Sequence, residues 1–219
     1  MNIKVHKVKK TTLNYTVYQA IKEGILQGDI PEGEKLVETQ MGRELGVSAT
    51  PVREAFRMLA TEGLIRLDPY KGAVVTAYSP TATLEATQCR QALECMALKL
   101  YMTAGDVNKG ITQLENMIKE AEETLEISDF VKISSAIHSI WIQGCKNSKI
   151  AELIAQLNTV ILREANISAN DTTRRKAIIT EHKKMLRAMK NKDVPLACEE
   201  LAKHLENGFQ YSNKKNENK

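Results

Sequence analysis

Apolar positions recur along most of this chain at the spacing of a helix, and once they shift to a short alternating pattern. Leu13, Val17, Ala20, Ile21 and Ile25 share one helical face over 13–27, and Gly28 stands where a glycine closes a helix. After a turn with Pro31 and Gly33, the stretch 36–44 predicts a short helix that buries Leu36, Val37, Met41 and Leu45. Gly46-Val47-Ser48 then forms a tight turn, because Gly46 tolerates a positive φ and Ser48 can cap the next helix with its hydroxyl. Pro51 fits the first turn of that third helix, where its missing N–H costs little. The helix extends to about Glu62 and buries Val52, Ala55, Phe56 and Leu59. Gly63 ends it, and 64–67 and 73–76 alternate as two strands joined by Asp68-Pro69-Tyr70-Lys71-Gly72.

Beyond a short linker, Tyr78-Ser79-Pro80, only helical patterns remain. They predict helices over 83–102, 107–125, 130–145, 149–165, 173–190 and 194–211. The second carries a clear stripe of Ile111, Leu114, Ile118, Ala121 and Leu125, and the first a stripe through Leu84, Cys89, Leu93, Met96, Ala97 and Leu100. The fold class is therefore mostly α. A winged helix-turn-helix with an N-terminal arm occupies 1–77, residues 78–80 link it to an all-α six-helix bundle over 81–211, and 212–219 form a frayed polar tail.

Two helices joined by a tight turn, followed by a basic-tipped hairpin, are the sequence form of a module that lays its last helix in the major groove of DNA. Ser48, Thr50, Pro51, Arg53 and Arg57 stand at the groove end of that helix, with Lys71 and Gly72 at the wing tip. Overall charge adds little: the net charge of +4 over 219 residues is divided evenly about Pro80. The relevant cations are local, including Lys4, Lys7, Lys9 and Lys10 of the arm, which can contact phosphates or merely solubilise.

No stretch is apolar and long enough to span a bilayer and no signal peptide opens the chain, so a cytoplasmic location is expected. Cys89, Cys95, Cys145 and Cys198 form no C-x-x-C pair and are expected to be buried reduced thiols. No serine, cysteine or phosphate-loop motif of an enzyme appears, which makes a metal-dependent hydrolase the weakest reading.

Three histidines fall on inward stripes of the bundle: His138 with Ile137, Trp141 and Cys145; His182 with Ile178, Met185 and Met189; His204 with Leu201 and Leu205. A single inward histidine is most often a hydrogen-bonded core residue. Three on three helices open the possibility of a shared metal, and imidazoles suit zinc, nickel, copper or iron.

The run GVSATPVREAFRMLATEGLI resembles the signature of the GntR superfamily, and the similarity continues through the wing. The resemblance implies that Ser48, Thr50, Pro51, Arg53 and Gly72 contact DNA. Ala49 departs from it, since the family usually has an arginine there. The C-terminal half resembles the FCD ligand-binding domain of the FadR subfamily through Arg90-Gln91-Ala92-Leu93-Glu94, Ile137-His138 followed by Asn147, and Glu181-His182 followed by Asp193 and His204. Six helices point to its VanR-like branch.

That resemblance implies a divalent metal, zinc or nickel foremost, held by His138, His182 and His204. The family's fourth ligand, an aspartate one turn before the first histidine, is here Ser134. A carboxylate effector could supply the missing anion, with Arg90 pairing to it through its guanidinium fork. The competing role for Arg90 is a surface bridge to Glu94 at i+4. The expected function is a homodimeric regulator, most often a repressor, that binds a pseudo-palindromic operator under control of a small organic acid. A metal-free regulator with an apolar or acyl ligand is the principal alternative.

Overall fold

A computed structural model of the chain describes residues 13–68, 72–104 and 106–217. The arm lysines Lys4, Lys7, Lys9 and Lys10 and the wing-tip Lys71 lie outside them. The described residues divide into two compact units between Tyr78 and Ser79.

The first unit contains α1 (Leu13–Gln27), β1 (Lys35–Leu36), α2 (Glu38–Glu44), α3 (Ala49–Thr61), β2 (Ile65–Asp68) and β3 (Gly72–Val75). Its strands form one antiparallel sheet in the order β1-β3-β2, with Leu36 opposite Ala73 and Ile65 opposite Val75. Leu36 therefore belongs to a strand rather than to the second helix. Val37 is exposed and Gly42 is the buried residue of α2. A Cβ on Gly42 would stand 2.8 Å from the Val47 carbonyl, so only glycine lets the turn fold back against α2. Val17, Tyr18, Ile21, Val52, Phe56, Leu59 and Leu64 make the core. Leu13 and Ala20 face solvent instead. Lys22 donates to Tyr18 Oη at 2.9 Å and to Glu62 Oε2 at 2.7 Å, which ties α1 to the end of α3.

The second unit contains seven helices: α4 (Pro80–Ala104), α5 (Val107–Glu123), α6 (Ile127–Gly144), α7 (Ser148–Gln156), α8 (Asn158–Ala169), α9 (Thr172–Lys190) and α10 (Val194–Glu217). The expected single helix over 149–165 is divided at Leu157, whose amide bonds Ile154 O at 3.0 Å, three residues back instead of four. Neither glycine nor proline marks that tightening, so the apolar pattern ran through it. The helix count that pointed to a six-helix branch does not hold. Residues from Ser212 onward continue α10 to Glu217 rather than fraying, with Ser212 fully buried and its hydroxyl donating to Phe209 O at 2.9 Å.

Trp141, Leu98, Leu114, Ile137, Met185, Met189 and Leu201 fill the centre of this unit. Asp106, Asn147 and Asp171 cap α5, α7 and α9 by accepting from backbone amides one turn in. Asp193 does the same for Leu196 N at the start of α10. Asn147 and Asp193, two positions of the family resemblance, are thus helix caps.

The largest departure is α4. Leu84, Cys89 and Met96 of its predicted stripe are exposed, and the buried side is Thr83, Thr87, Arg90, Glu94, Ala97, Leu98 and Tyr101. Leu125 is also exposed, beyond the end of α5. Only Cys145 of the four cysteines is buried, and Cys95 and Cys198 each donate to the other's carbonyl at 3.5 Å.

Candidate DNA-reading helix and buried histidine site

In the first unit, Gly46 has φ +67° and turns the chain from α2 into α3. Ser48 occupies the N-cap position with extended backbone, but its hydroxyl accepts no capping bond. The expectation that it caps α3 is corrected: Ser48 is exposed, as is Thr50, and the first turn of α3 carries no acidic residue. That leaves uncapped amides at the positive end of a helix, an arrangement suited to phosphate. Pro51 is buried, so it shapes the start of α3 instead of offering contact surface.

Arg53 and Arg57 are exposed, as expected. Arg53 is not free, however. Its Nε donates to Glu38 Oε2 at 2.9 Å and its Nη2 to the same oxygen at 2.6 Å. Arg57 Nη1 donates to Glu54 at 2.8 Å. Both guanidiniums are held in place and keep further N–H donors for a ligand. Gly72 has φ +88°, and a Cβ there would stand 2.8 Å from Leu36 O. Its glycine is required by the wing's backbone before any contact with DNA.

In the second unit, α6, α9 and α10 bring His138, His182 and His204 together, with one nitrogen of each within 4.8 Å of the others. All three are buried. His138 Nδ1 meets Glu94 Oε2 at 2.6 Å, and His204 Nδ1 meets Glu181 Oε2 at 2.7 Å. Two arginines hold those carboxylates. Arg90 Nε donates to Glu94 Oε1 at 2.8 Å, while Arg174 reaches Glu181 through Nη1 at 2.7 Å and Nη2 at 3.2 Å.

Burial alone would raise the pKa of both carboxyls. The neighbouring arginine and histidine overcome it, holding Glu94 well below the usual range and Glu181 at about 2. Both are carboxylates at neutral pH, and a carboxylate only accepts. Each Nδ1 therefore carries the proton, and each Nε2 turns a lone pair inward. The two Nε2 atoms lie 3.2 Å apart. Burial lowers His204 to about 4, only partly offset by Glu181. Burial and the other two rings push His182 well below its ordinary value, and its Nε2 is buried with no hydrogen-bond partner.

This donor set fits a divalent metal. Two nitrogens bound to one zinc at 2.0–2.1 Å in tetrahedral geometry stand about 3.3 Å apart. Carboxylates on the far ring nitrogens are the usual supports of metal-binding histidines.

The site opens on a cavity of about 140 Å³ whose walls include Arg90, Ser134, His138, Glu164, Arg174 and His204. Arg90 does bridge to Glu94, but the pair is buried rather than on the surface and takes only Nε. Its terminal nitrogens donate to no described residue and are open to a ligand. Ser134 lies on the cavity wall, and Asp129 is exposed against Lys132. Four charged residues of this site were not assigned to it from sequence. Glu94 was legible only as the i+4 partner of Arg90. Arg174 stands two turns before Glu181 on one helical face. Glu181 was visible only as the neighbour of His182, and Glu164 carried no local signal.

The family model for bacterial regulatory proteins of the gntR family matches residues 13–75, and that for the FCD domain matches residues 85–207. The chain belongs to the GntR family of regulators and carries an FCD domain. It is 26% identical over 203 residues to the HTH-type transcriptional regulator YdhC of Bacillus subtilis, covering 90% of each chain. It is 25% identical over 201 residues to the gluconate operon transcriptional repressor of Bacillus subtilis, covering 89% of this chain and 82% of that one. The fold is similar to that of McbR/YncC from E. coli, with a TM-score of 0.72 at 19% identity over 94% of this chain and 99% of that one. This GntR-family chain is accordingly a DNA-binding transcriptional regulator and not an enzyme. Among its described residues no helix is long and apolar enough to cross a membrane.

Proposed function

We propose that this regulator is a homodimeric repressor whose operator affinity is set by a small carboxylate bound in the FCD cavity beside a divalent metal. The observation that carries the proposal is the inward-facing pair of Nε2 lone pairs, 3.2 Å apart, with the unpartnered His182 Nε2 beside them. A metal at that point would be a Lewis acid with an open position. His138, His182 and His204 would hold it, and Glu94 and Glu181 would fix the tautomers. Ser134 would leave the shell one anion short, and Arg90 on the cavity wall would pair with an incoming carboxylate. Zinc and nickel both suit three imidazoles. The exposed Leu84 and Met96 on the outer face of α4 support association with a second copy. Repression accords with the relatives named as repressors. Control requires the carboxylate to bind the DNA-competent and DNA-incompetent states with different affinity.

The test is elemental analysis of the purified protein and its His182→Ala variant, followed by titration of an operator selected from a random duplex pool. About one metal per chain, lost in the variant, and two chains per operator are expected. A chain that binds its operator with no metal, and takes up none on titration, would favour a metal-free regulator with an apolar or acyl ligand.

A further inference from the structure

Opposite the histidines, α8 places two polar groups in the cavity wall that no contact in the fold explains. Glu164 is 7% exposed and accepts no hydrogen bond from a described residue. Ser168, one turn later on the same face, is 2% exposed, and its hydroxyl has no partner. Arg90 and Arg174 act on Glu164 through space, but their nearest acceptors are Glu94 and Glu181. Burial pushes the Glu164 carboxyl up to about 7, against the lowering by those arginines. The fold also clears space for this group. A Cβ on Gly208 of α10 would stand 2.2 Å from Glu164 Oε1, so the glycine leaves room for the carboxyl in this rotamer. The buried Ser168 hydroxyl is left without a partner, and the Glu164 carboxyl faces the cavity with no hydrogen bond from a described residue, so both are open to a ligand held there.

The partner's chemistry follows from the neighbours. It must offer hydrogen-bond donors to Glu164 and an acceptor or donor to Ser168. An ammonium would meet the field of Arg90 and Arg174, so neutral donors fit better. Ser134 and Ser135 on α6 add hydroxyls to the same wall. Resting on the carboxylate effector proposed above, we infer that Glu164 and Ser168 form a specificity subsite that selects a hydroxylated acid over an alkyl acid of equal length. The carboxylate end lies toward Arg90 and the histidines, and the hydroxyls toward α8.

The experiment is calorimetric titration of the full chain as purified with two matched pairs, threonate with butyrate and gluconate with hexanoate. Expected is binding of at least one hydroxy acid about 10-fold tighter than its alkyl match, as one well-made buried hydrogen bond supplies. Glu164→Leu should abolish that preference, and Ser168→Ala should reduce it several-fold. Thermal unfolding of ligand-free Glu164→Leu separates subsite from scaffold: it should melt no lower than the parent, because no described residue bonds the carboxyl it removes. Equal or tighter binding of the alkyl acids, a preference unchanged in Glu164→Leu, or a lowered melting temperature in that variant would each overturn the subsite while leaving the carboxylate reading intact. Failure of all four acids to bind would remove that reading and the subsite with it.

Discussion

Each unit of this chain contains a close arginine–glutamate pair, and the two do different work. Arg53 and Glu38 meet at 2.6 Å with side chains 53% and 29% exposed. Arg90 and Glu94 meet at 2.8 Å with side chains 9% and 1% exposed. The first pair lies in water at the start of the helix proposed to read DNA, where it organises a guanidinium without contributing much to folding. The second lies in the core, where neither charge is tolerable without the other. The DNA-binding unit keeps an apolar centre with its chemistry outside, Lys22 and its partners excepted. The FCD unit puts its chemistry at the centre and must neutralise it there.

The sharpest way to break that contrast is to remove the same atom from each pair. Glu94→Ala leaves the Arg90 guanidinium and His138 Nδ1–H buried without their acceptor. A loss of about 3–5 kcal/mol is expected, the usual cost of breaking a buried pair. It should lower the melting temperature of the FCD unit by roughly 10 °C or more. Glu38→Ala should cost under about 1 kcal/mol. Thermal unfolding followed by circular dichroism measures both. Similar small losses would mean that water enters the Arg90–Glu94 site freely.

A second test concerns the one central carboxyl without a hydrogen-bonding partner. Glu164 is held above its unfolded value, at about 7. Below about pH 4.5 it is protonated in both states and contributes nothing to the pH dependence. As pH rises from there to about 7 the unfolded chain ionises it and the folded chain resists, so stability is lost across that window. Removing the carboxyl removes this loss. The melting temperature of Glu164→Leu minus that of the parent should therefore grow between pH 4.5 and 7.5, by the equivalent of about 3 kcal/mol. A constant difference would place the carboxyl in contact with solvent.

The same contrast explains what was legible in the sequence. The DNA-binding unit is written locally: turn glycine, N-cap serine, first-turn proline and exposed arginines lie within a dozen residues, and the fold places them as read, except that the Ser48 hydroxyl makes no cap and Pro51 is buried. The histidine stripes were equally plain, because each lies on a helix with apolar neighbours at three and four residues. The α4 helix was misread for a physical reason. Its buried side is polar, so a search for an apolar stripe selects the outward Leu84 and Met96 and misses Arg90 and Glu94. Glu164 and Arg174 reach the cavity from α8 and α9, and nothing in their local sequence marks a distant charge as a partner. Buried ionic sites are assembled by tertiary packing, and periodicity reads only the solvent it expects to find.

The exposed pair gives the last and smallest effect. Arg53→Ala should leave the melting temperature nearly unchanged, since its partner Glu38 returns to water. Operator affinity should fall by about 10–100-fold, the range for one specific side-chain contact to DNA. Fluorescence anisotropy against the selected operator and against scrambled duplex separates the two roles open to the guanidinium. If it reads a base edge, affinity falls on the operator far more than on scrambled DNA. If it holds a phosphate, both fall alike and the salt dependence of binding drops by about one ion. Arg53→Lys should not restore operator binding in the first case, because an ammonium lacks the fork that reads a base or rests on Glu38. An unchanged affinity in Arg53→Ala would shift the reading surface to Arg57 and the free amides that begin α3. The Glu38 pair would then serve only to keep that surface clear of a stray cation.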